Sequence, residues 1–423
     1  MPGHSHSEKR PLKVAFLTSH PARVGSGSEK LMYDSARALF SRGYDTRVYV
    51  MNSHLGSQPP FFERQISTLP FERKIELFFR NVTGWNDFLF PSTALLGFIP
   101  WLGSADIWHF NNLHGHFVSL PLLGLWSLTK RIVISPVDQY LTTGHCPYHM
   151  DCGRYLEGCG QCPRLKDPWP GISRDSTRRL WRMKRNFLRR SSLNMFFHTE
   201  YLANHYKTAI GHIDGPVIRY GVDIQCFRPM SRDTAACNLG INRGHRFVVG
   251  LLHSYVLEPR KGILPIIRKL CELAKRFTGK LELLVVGNNS EAVKEIVPSE
   301  LSVIALPFLK SSHDLAQALN LCDVLLYPTQ AENLSLTCLD SLACGVPVIS
   351  YDVGGQHEAI TDGVNGFLVK VDDHEKMLDR LVAIMQNSAL REKLSVNARA
   401  TAESRFDFDR YIDNLSYYYH KIL

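Results

Sequence analysis

The chain alternates short apolar runs with amphipathic helical stretches, and this pattern constrains its fold more than any other feature. The first apolar run, residues 13–19, predicts a buried parallel strand. A helical pattern over residues 29–42 follows, Gly43 ends it, and residues 46–50 predict a second strand. Such a β-loop-α-β unit is the usual start of a doubly wound parallel sheet, in which ligands lie beyond the carboxyl ends of the strands.

Two series of this kind run along the chain. The first continues with strands predicted at residues 107–110, 131–135, 193–197 and 216–219. The second predicts strands at residues 247–252, 281–286, 303–306, 324–327, 347–350 and 367–369, and only helix after Glu375. At 423 residues the chain also exceeds the usual size of one domain. We therefore expect two α/β domains, residues 1–222 and 223–405, followed by a terminal helical segment, residues 406–423.

Charge and hydropathy narrow the functional classes. The formal net charge of +9 indicates anionic partners such as nucleotides, lipid phosphates or an anionic membrane surface. No apolar run in the sequence reaches the roughly 18 residues of a transmembrane helix. The polar start MPGHSHSEKR lacks the apolar core of a signal peptide. We expect a cytoplasmic protein, in which the ten cysteines are free thiols or metal ligands.

The segment from Tyr327 to Val369 carries the strongest functional signal. It contains two acids, Glu332 and Asp340, eight positions apart, with a polar loop and an apolar helix start between them. Eight residues are a little over two helical turns, so both acids can face one cleft. A helix N-terminus beside a carboxylate suits a ligand with a phosphate and sugar hydroxyls, because amides hold the anion and carboxylates accept from hydroxyls. The segment therefore predicts a sugar-nucleotide site.

The same segment resembles the donor-site signature of the family-4 retaining glycosyltransferases. That signature is two Glu residues separated by seven others, a helix of small residues and a Cys/Gly-x-Pro-Val-Ile run; here it reads ENLSLTCLDSLACGVPVISYDVGG, with the DGVNGFLV turn after it. Asp340 stands where the family carries its second Glu. The resemblance implies a GT-B architecture, with two Rossmann-like doubly wound parallel-sheet domains facing a cleft. It also implies that the terminal helix, residues 406–423, crosses back to the first domain.

The resemblance implies an activity as well. A retaining hexosyltransferase would move a sugar from a nucleotide-diphosphate donor to a glycan by front-side substitution, in which the leaving phosphate helps to deprotonate the acceptor. Glu332 would lie nearest the transferred sugar, and Asp340 would accept from the ribose hydroxyls. The amides of Asn333 and Leu334, at the helix start, would face the sugar or the phosphate.

Two further segments resemble the donor side of the family. In Pro259-Arg-Lys-Gly-Ile, Arg260 and Lys261 would offset the charge of a departing diphosphate, and a solvated basic turn is the alternative. Gly27, after the first strand, would let backbone approach the diphosphate without an intervening side chain. Asp407-Phe-Asp409 imitates a metal-binding Asp-x-Asp motif, but its helical context predicts a structural role, and we expect no catalytic metal.

The acceptor side is predicted to begin at the end of the strand at residues 107–110. The run DIWHFNNLHGH resembles the Asp-x-x-His-x-His segment of the family, with Asn111 at the position of its second His. The resemblance implies that His109 or His114 orients the sugar or an acceptor hydroxyl, since His is the favoured proton carrier near neutral pH. Asn111 and Asp138 are further acceptor-side candidates, and a buried His with a purely structural role is the alternative.

The loop of residues 145–163 is rich in cysteine. Cys146, Cys152, Cys159 and Cys162 fall within it, and it closes with Cys-x-x-Cys. Four thiolates at this spacing fit a tetrahedral structural zinc and, less well, an iron–sulfur cluster. Two disulfides or four unlinked thiols are the alternatives. The loop is similar to one in an exopolysaccharide branch of the family, the colanic-acid-type glycosyltransferases, which implies a lipid-linked oligosaccharide or exopolysaccharide acceptor.

A basic amphipathic stretch follows at residues 174–190. Four arginines share one helical face there: Arg178, Arg182, Arg185 and Arg189. Such a helix can lie on anionic lipid, so peripheral contact with the inner face of the membrane is expected, and a solvated helix face is the alternative.

Other functions fit parts of the sequence. A GT-B sugar-nucleotide epimerase or a non-catalytic carbohydrate-binding protein is compatible with the same architecture. A phosphorylase would carry a pyridoxal-phosphate lysine in a much longer chain. A zinc-containing nucleic-acid-binding protein would leave the ordered motifs of the second domain unexplained, so no nucleic-acid partner is expected.

Overall fold

The computed structural model of the protein describes residues 10–20, 27–50, 63–66, 71–114, 117–167, 172–242 and 244–423. The chain divides into two compact units. Unit 1 comprises Met1–His198, Ala203–Val217 and Asn414–Leu423, and unit 2 comprises Thr199–Leu202 and Ile218–Asp413. Two helices contribute residues to both units: α8 (Glu200–Ile210) and α16 (Phe408–Lys421).

Unit 1 is built on a six-stranded parallel sheet. Its strands are β1 (Lys13–Thr18), β2 (Asp45–Val50), β3 (Glu63–Gln65), β4 (Ile107–Phe110), β5 (Arg131–Ile134) and β6 (Leu193–Met195). Their order in the sheet is β3-β2-β1-β4-β5-β6, which is the strand order of a dinucleotide-binding doubly wound fold. The strand β4 lies between two neighbours and is buried along its whole length, which explains its apolar sequence.

The helices of unit 1 vary widely in length. Those that belong to it wholly are α1 (Gly27–Ser41), α2 (Glu72–Thr83), α3 (Ser92–Leu95), α4 (Pro100–Ser104), α5 (Leu120–Trp126), α6 (Arg154–Glu157) and α7 (Thr177–Arg190). Short 3₁₀ turns occur at Leu96–Phe98 and Tyr140–Thr142.

Unit 2 repeats the same topology. Its strands are β7 (Phe247–Tyr255), β8 (Leu281–Asn288), β9 (Ser302–Leu306), β10 (Val324–Tyr327), β11 (Val348–Tyr351) and β12 (Gly366–Val369). They pair in parallel in the order β12-β11-β10-β7-β8-β9, so the first and fourth strands of the unit are again neighbours.

The helices of unit 2 pack apolar stripes against this sheet. They are α9 (Arg232–Asn238), α10 (Ile263–Arg276), α11 (Ala292–Ile296), α12 (Ser312–Leu321), α13 (Leu336–Ala343), α14 (His374–Gln386) and α15 (Ser388–Arg405), with 3₁₀ turns at Pro259–Lys261 and Gln356–Glu358. In α10 the spacing of Ile263, Ile266, Ile267 and Leu270 places all four on one face, and all are buried in the core.

Most of the predicted elements are confirmed, and two differences stand out. The strand predicted at residues 216–219 is wrong, because that segment forms only an isolated bridge between Phe197 and Val217. The strand β3, three residues long, was not predicted, since so short an element carries no clear periodicity. In the described part of the chain, no helix has the length and apolar content needed to cross a bilayer.

Candidate functional site

In each sheet, the first and fourth strands of the unit lie side by side, β1 beside β4 and β7 beside β10. Successive connections leave this point in opposite directions, which opens a crevice beyond the carboxyl ends of the two strands. The segments that follow β7 and β10 contain the predicted donor residues of unit 2. In unit 1, the segment after β1 leads to Gly27, a predicted donor-side residue. The predicted acceptor-side residues lie within β4 and in the segments that follow β4 and β5.

An ion pair lies at the crevice of unit 2. Lys261 Nζ is 3.0 Å from Glu332 Oε2, and both side chains are largely buried, 11% and 14% exposed. Tyr327, the last residue of β10, donates to the same carboxylate oxygen over 3.2 Å. Arg260 Nη1 is 3.6 Å from that oxygen and donates to the backbone oxygen of Ala331 over 2.6 Å. The structure therefore brings together three predicted donor residues, Arg260, Lys261 and Glu332.

The backbone fixes the two loops that carry this ion pair. The amide of Gln330 donates to the carbonyl of Arg260 over 2.9 Å. Gly262 ends the 3₁₀ turn in a left-handed conformation, φ 65°, and a Cβ there would lie 2.1 Å from the oxygen of Pro328. Only glycine fits both requirements. The close approach of the two loops is thus a consequence of the sequence Lys261-Gly262.

A second contact holds the residue after Glu332. Asn333 is buried, its Oδ1 accepts from the Thr199 hydroxyl over 2.6 Å, and its Nδ2 has no hydrogen-bond partner within the described residues. Gly354 has φ 59°, and a Cβ there would lie 1.8 Å from the carbonyl oxygen of Glu332. Gly355 N donates to the carbonyl of Asn333 over 2.5 Å. The two adjacent glycines therefore let a second loop pass directly against the loop of Glu332.

The helix after this loop begins later than predicted. Ser335 caps α13 by accepting from the amide of Cys338, so Asn333 and Leu334 precede the helix and are not part of its first turn. Leu334 is buried, and Asp340 lies in the second turn of α13, half-buried. The prediction that the amides of Asn333 and Leu334 belong to the helix start is wrong, because the capping serine comes after them.

Sequence reasoning did not assign a role to His253, which lies within β7. Its ring stacks on Tyr327 with centroids 4.6 Å apart, and neither ring nitrogen has a hydrogen-bond partner within the described residues. Burial holds the pKa of His253 well below its usual value, and the charge of Lys261 lowers it further. A neutral imidazole with two unused nitrogens therefore lies beside the Lys261–Glu332 pair. The sequence signal was its position at the end of an apolar strand.

Unit 1 places two of the predicted acceptor-side residues in direct contact. His114 Nδ1 lies 2.7 Å from Asp138 Oδ2, and Asn112 contacts both side chains. Burial opposes the charged form of His114, but the Asp138 carboxylate outweighs it and raises the pKa of His114. Burial likewise opposes the charged form of Asp138, and His114 outweighs it and lowers the pKa of that carboxyl. A buried carboxylate thus orients a partly exposed imidazole.

His109 lies in a different environment. Its Nε2 is 2.8 Å from the Ser135 hydroxyl, its Nδ1 hydrogen-bonds the hydroxyl of Tyr419, and its ring stacks on Phe16. Burial, with a smaller contribution from His198, lowers the pKa of His109 to about 3. Both nitrogens are occupied by residues of unit 1, an arrangement that suits a positioning role.

Two further predicted residues of unit 1 are Asn111 and Gly27. Asn111 is buried directly after β4, and its Nδ2 has no hydrogen-bond partner among the described residues. Gly27 is the exposed first residue of α1, and the preceding Gly25 lies outside the described residues.

In unit 2, Asp407 Oδ1 accepts from the amide of Asp409 over 2.7 Å at the start of α16, the structural role expected for this pair.

The cysteine loop brings together a set of side chains that differs from the predicted one. His145, Cys146 and Cys162 place their donor atoms within 4.8 Å of one another. Cys152 and Cys159 line the same small cavity, and none of the ten cysteines, all of which lie within the described residues, forms a disulfide. His145, directly before Cys146, was the signal that sequence reasoning passed over.

The basic helix α7 does not pack as the membrane-surface helix that was predicted at residues 174–190. Leu180, Phe187 and Leu188 are buried, so its apolar face is turned inward. Arg185 and Arg189 donate to the carbonyls of Ala209 and Ile210 at the end of α8. Those carbonyls lack helical partners, and two of the four aligned arginines satisfy them. This helix therefore presents no apolar face to a membrane.

The second half of the chain is similar in sequence to known glycosyltransferases. Residues 250–401 match the family model described as glycosyl transferases group 1. This span runs from β7 into α15 and includes the Lys261–Glu332 pair. The D-inositol 3-phosphate glycosyltransferase of Saccharomonospora viridis is 32% identical over 208 residues, 46% of this chain and 47% of that protein. The protein of the same name from Geodermatophilus obscurus is 32% identical over 212 residues, 47% and 45% of the two chains. The chain spans about half the length of the curated relatives it matches.

Solved structures resemble nearly the whole chain. The sucrose-phosphate synthase of Thermosynechococcus elongatus has a TM-score of 0.71 at 14% identity, over 97% of this chain and 99% of that one. Anabaena HepE, solved in complex with UDP-glucose, has a TM-score of 0.69 at 17% identity, over 97% and 100%. At such identities the likeness establishes the fold. The predicted fold class, two parallel-sheet α/β domains of GT-B type, is confirmed.

Proposed function

We propose that the protein is a retaining glycosyltransferase that uses a nucleotide-diphosphate sugar. The observation that carries the proposal is the Lys261–Glu332 ion pair at the crevice between β7 and β10. The group 1 match over residues 250–401 and the UDP-glucose complex of the structural neighbour HepE support it.

The chemistry of a nucleotide sugar matches the groups at this crevice. A diphosphate needs cations and donors, which Lys261 and Arg260 supply. A sugar needs acceptors for its hydroxyls, which the Glu332 carboxylate supplies. The neutral ring of His253 adds a donor or acceptor at the same place. Asp340, on α13, is proposed to accept from the ribose hydroxyls.

The proposed reaction is a front-side substitution. The bond between the anomeric carbon and the diphosphate oxygen breaks, and the acceptor oxygen attacks from the same face, which retains the configuration. The departing diphosphate takes the proton of the acceptor hydroxyl. Arg260 and Lys261 stabilise the charge that develops on this leaving group, so no catalytic metal is needed. Glu332 stabilises the positive character of the anomeric carbon.

Unit 1 is proposed to bind the acceptor. The His114–Asp138 pair is suited to hold a hydroxyl, because the carboxylate contacts Nδ1 and orients a ring that is partly exposed. We propose that the acceptor is a lipid-linked glycan of exopolysaccharide synthesis, because the cysteine loop resembles the one in that branch of the family.

The activity is tested by nucleotide release. The protein is incubated with a panel of nucleotide-diphosphate sugars, with and without lipid-linked glycan acceptors, and the free nucleotide is measured. We expect acceptor-dependent release that falls at least 100-fold in Glu332→Gln, as for loss of one charge-stabilising group. Glu272→Gln, a change on the exposed surface of α10, is the matched control and should retain full turnover. Absence of both binding and turnover across the panel would refute the proposal, and acceptor-independent sugar interconversion would identify an epimerase instead.

A lipid-linked acceptor requires contact with a membrane, and we propose that α2 makes it. Phe71, Ile75, Phe78 and Val82 are 69%, 55%, 71% and 51% exposed. Their spacing of four, three and four residues places them on one side of the helix. Four large apolar side chains in one exposed row are unusual for a surface in water.

The charges of α2 favour an anionic surface as the occupant. Glu72 and Glu76 are both buried, and Glu72 accepts from the amide and the hydroxyl of Ser92. Lys74 is exposed beside the apolar row. The helix thus turns its acids inward and shows an apolar row and Lys74 outward, a distribution that suits a helix lying on anionic lipid. We propose a cytoplasmic protein bound peripherally to the inner face of the membrane.

Vesicle sedimentation tests this contact. The protein should bind vesicles that contain anionic phospholipid more tightly than neutral ones, and the double change Ile75→Ser with Phe78→Ser should weaken this binding at least tenfold. Val396→Ser removes a similarly exposed apolar side chain from α15 in unit 2 and should leave vesicle binding unchanged. Equal binding by wild type and the double variant would exclude α2 as the contact.

A further inference from the structure

We propose that the loop of residues 145–163 holds a zinc ion through His145, Cys146, Cys159 and Cys162, with a histidine in place of the fourth cysteine. This inference stands independently of the proposed transferase activity.

The distances within the cluster fit one zinc ion. His145 Nε2 lies 3.3 Å from Cys162 Sγ and 3.9 Å from Cys146 Sγ. Zinc bonds of about 2.3 Å to sulfur and about 2.0 Å to nitrogen, at tetrahedral angles, place the ligand atoms about 3.5–3.8 Å apart. The three donor atoms therefore already stand near the separations that a shared zinc ion requires.

Cys159 is the best placed fourth ligand. Its sulfur lies outside the group formed within 4.8 Å by His145, Cys146 and Cys162, but it accepts from the amide of Gly144 over 3.2 Å, and Gly144 directly precedes His145. The sulfur would therefore have to move toward the other three donor atoms when zinc binds. Cys159 and Cys162 also form the Cys-x-x-Cys pair that wraps one metal ion. Cys152 lines the same cavity, but no hydrogen bond within the described residues holds its sulfur there.

The backbone between the two closing cysteines is strained. Four consecutive residues have positive φ: Gly158 at 113°, Cys159 at 54°, Gly160 at 88° and Gln161 at 47°. A non-glycine residue in this region costs on the order of 1 kcal/mol or more, and such strain persists where other bonds enforce it. Metal bonds to Cys159 and Cys162 would provide that constraint.

A buried lysine lies near the cysteine cluster. Lys184 is fully buried and donates to the carbonyls of Tyr140 and Gly144 over 3.0 and 3.2 Å. The negative groups that act on it are Asp87 first, and then Cys159 and Cys146. Three thiolates and a neutral imidazole on Zn²⁺ would carry a net charge of −1, and four thiolates −2. A basic group at this position suits a thiolate-bound metal ion, and the set with His145 places the smaller net charge beside it.

The metal would stabilise the segment that follows Asp138. Gln139 N donates to the carbonyl of Pro147 over 2.8 Å, and the Gln139 side chain accepts from the amide of His149 over 2.9 Å. The cysteine loop is thus hydrogen-bonded to the residue beside Asp138, so a bound metal would make this part of unit 1 rigid.

Metal analysis of the full chain, without a histidine tag and under reducing conditions, tests the proposal. We expect about one zinc per chain, and loss of at least nine-tenths of it in Cys146→Ser, Cys159→Ser, Cys162→Ser and His145→Asn. Cys152→Ser is the matched control and should retain its zinc. Loss of zinc in Cys152→Ser with retention in His145→Asn would overturn the proposed ligand set.

A measurement on the wild-type chain covers the case in which a ligand variant does not fold. After zinc removal, titration with Co²⁺ alone should produce thiolate-to-cobalt charge-transfer absorption, with ligand-field bands of a three-sulfur, one-nitrogen site. Bands of a four-sulfur site would overturn the assignment of His145. Absence of both zinc and cobalt binding, an iron–sulfur absorption spectrum, or a mass showing disulfides under these conditions would overturn the metal site itself.

Discussion

The ion pair between Lys261 and Glu332 gives the sharpest prediction, because removing either partner leaves the other charged and largely buried. The variants are Glu332→Gln, which keeps the shape of the side chain, Lys261→Met, which keeps its length, and the double variant. We expect Glu332→Gln to cost about 3 kcal/mol of local stability in unit 2, because the largely buried Lys261 loses its carboxylate partner. Lys261→Met should cost less, because Arg260 still lies 3.6 Å from the Glu332 carboxylate. The double variant should cost clearly less than the sum of the two.

The magnitude follows from the distance and the burial. At 3.0 Å, two unit charges attract by about 5.5 kcal/mol for an effective dielectric constant of 20, and by about 1.4 kcal/mol in water. Side chains 11% and 14% exposed lie nearer the first limit. Desolvation of both charges opposes part of this attraction, and Tyr327 keeps a hydrogen bond to Gln in the variant. A coupling free energy of about 2 kcal/mol is therefore expected.

Hydrogen exchange followed by mass spectrometry measures this coupling where it acts. Peptides that cover residues 247–261 and 324–343 report the opening free energy of the crevice in unit 2, which a single unfolding curve of a two-unit chain does not resolve. Glu272→Gln serves as the control for a surface change. A coupling below about 0.5 kcal/mol would refute the reasoning, because it would mean that solvent already screens the pair.

Two further predictions concern a glycine and a pH dependence. Gly354→Ala should lower turnover at least tenfold, because its Cβ would displace the backbone of Glu332, whereas Gly363→Ala, also at positive φ but in open space, should cost about 1 kcal/mol of stability and retain turnover; equal turnover in the two variants would contradict this. The stability difference between wild type and His114→Gln should be largest between about pH 4 and 6.5. It should vanish as pH rises through the raised pKa of His114 or falls through the lowered pKa of Asp138, and urea unfolding that shows a pH-independent difference would contradict the pairing.

Much of the architecture was predictable from local patterns. Eleven of the twelve described strands coincide with predicted apolar runs, because a strand buried on both faces must be apolar over its whole length. The prediction failed at residues 216–219, where a short apolar run forms only an isolated bridge. An apolar segment can be buried without forming a strand. A short apolar run therefore does not show by itself whether the segment is a strand or a buried loop.

The candidate site was predictable in its residue types and only partly in its contacts. Arg260, Lys261 and Glu332 were expected near a diphosphate sugar, and they are neighbours in the structure. The role of His253 was not foreseen, because a histidine at the end of an apolar strand is locally indistinguishable from a core residue. Its stacking on Tyr327 exists only because β7 and β10 are adjacent.

The sequence by itself determined the two parallel sheets and the chemical character of the crevice, since both depend on residues close together in the chain. Tertiary structure decided which groups meet. Lys261 and Glu332 are 71 positions apart, and they meet because β7 and β10 are neighbours and Gly262 lets the two loops approach. The same holds for α7, whose arginines bind the end of α8, and for α2, whose apolar row stays exposed. Periodicity shows that a helix has an apolar face, but only packing decides whether that face is covered.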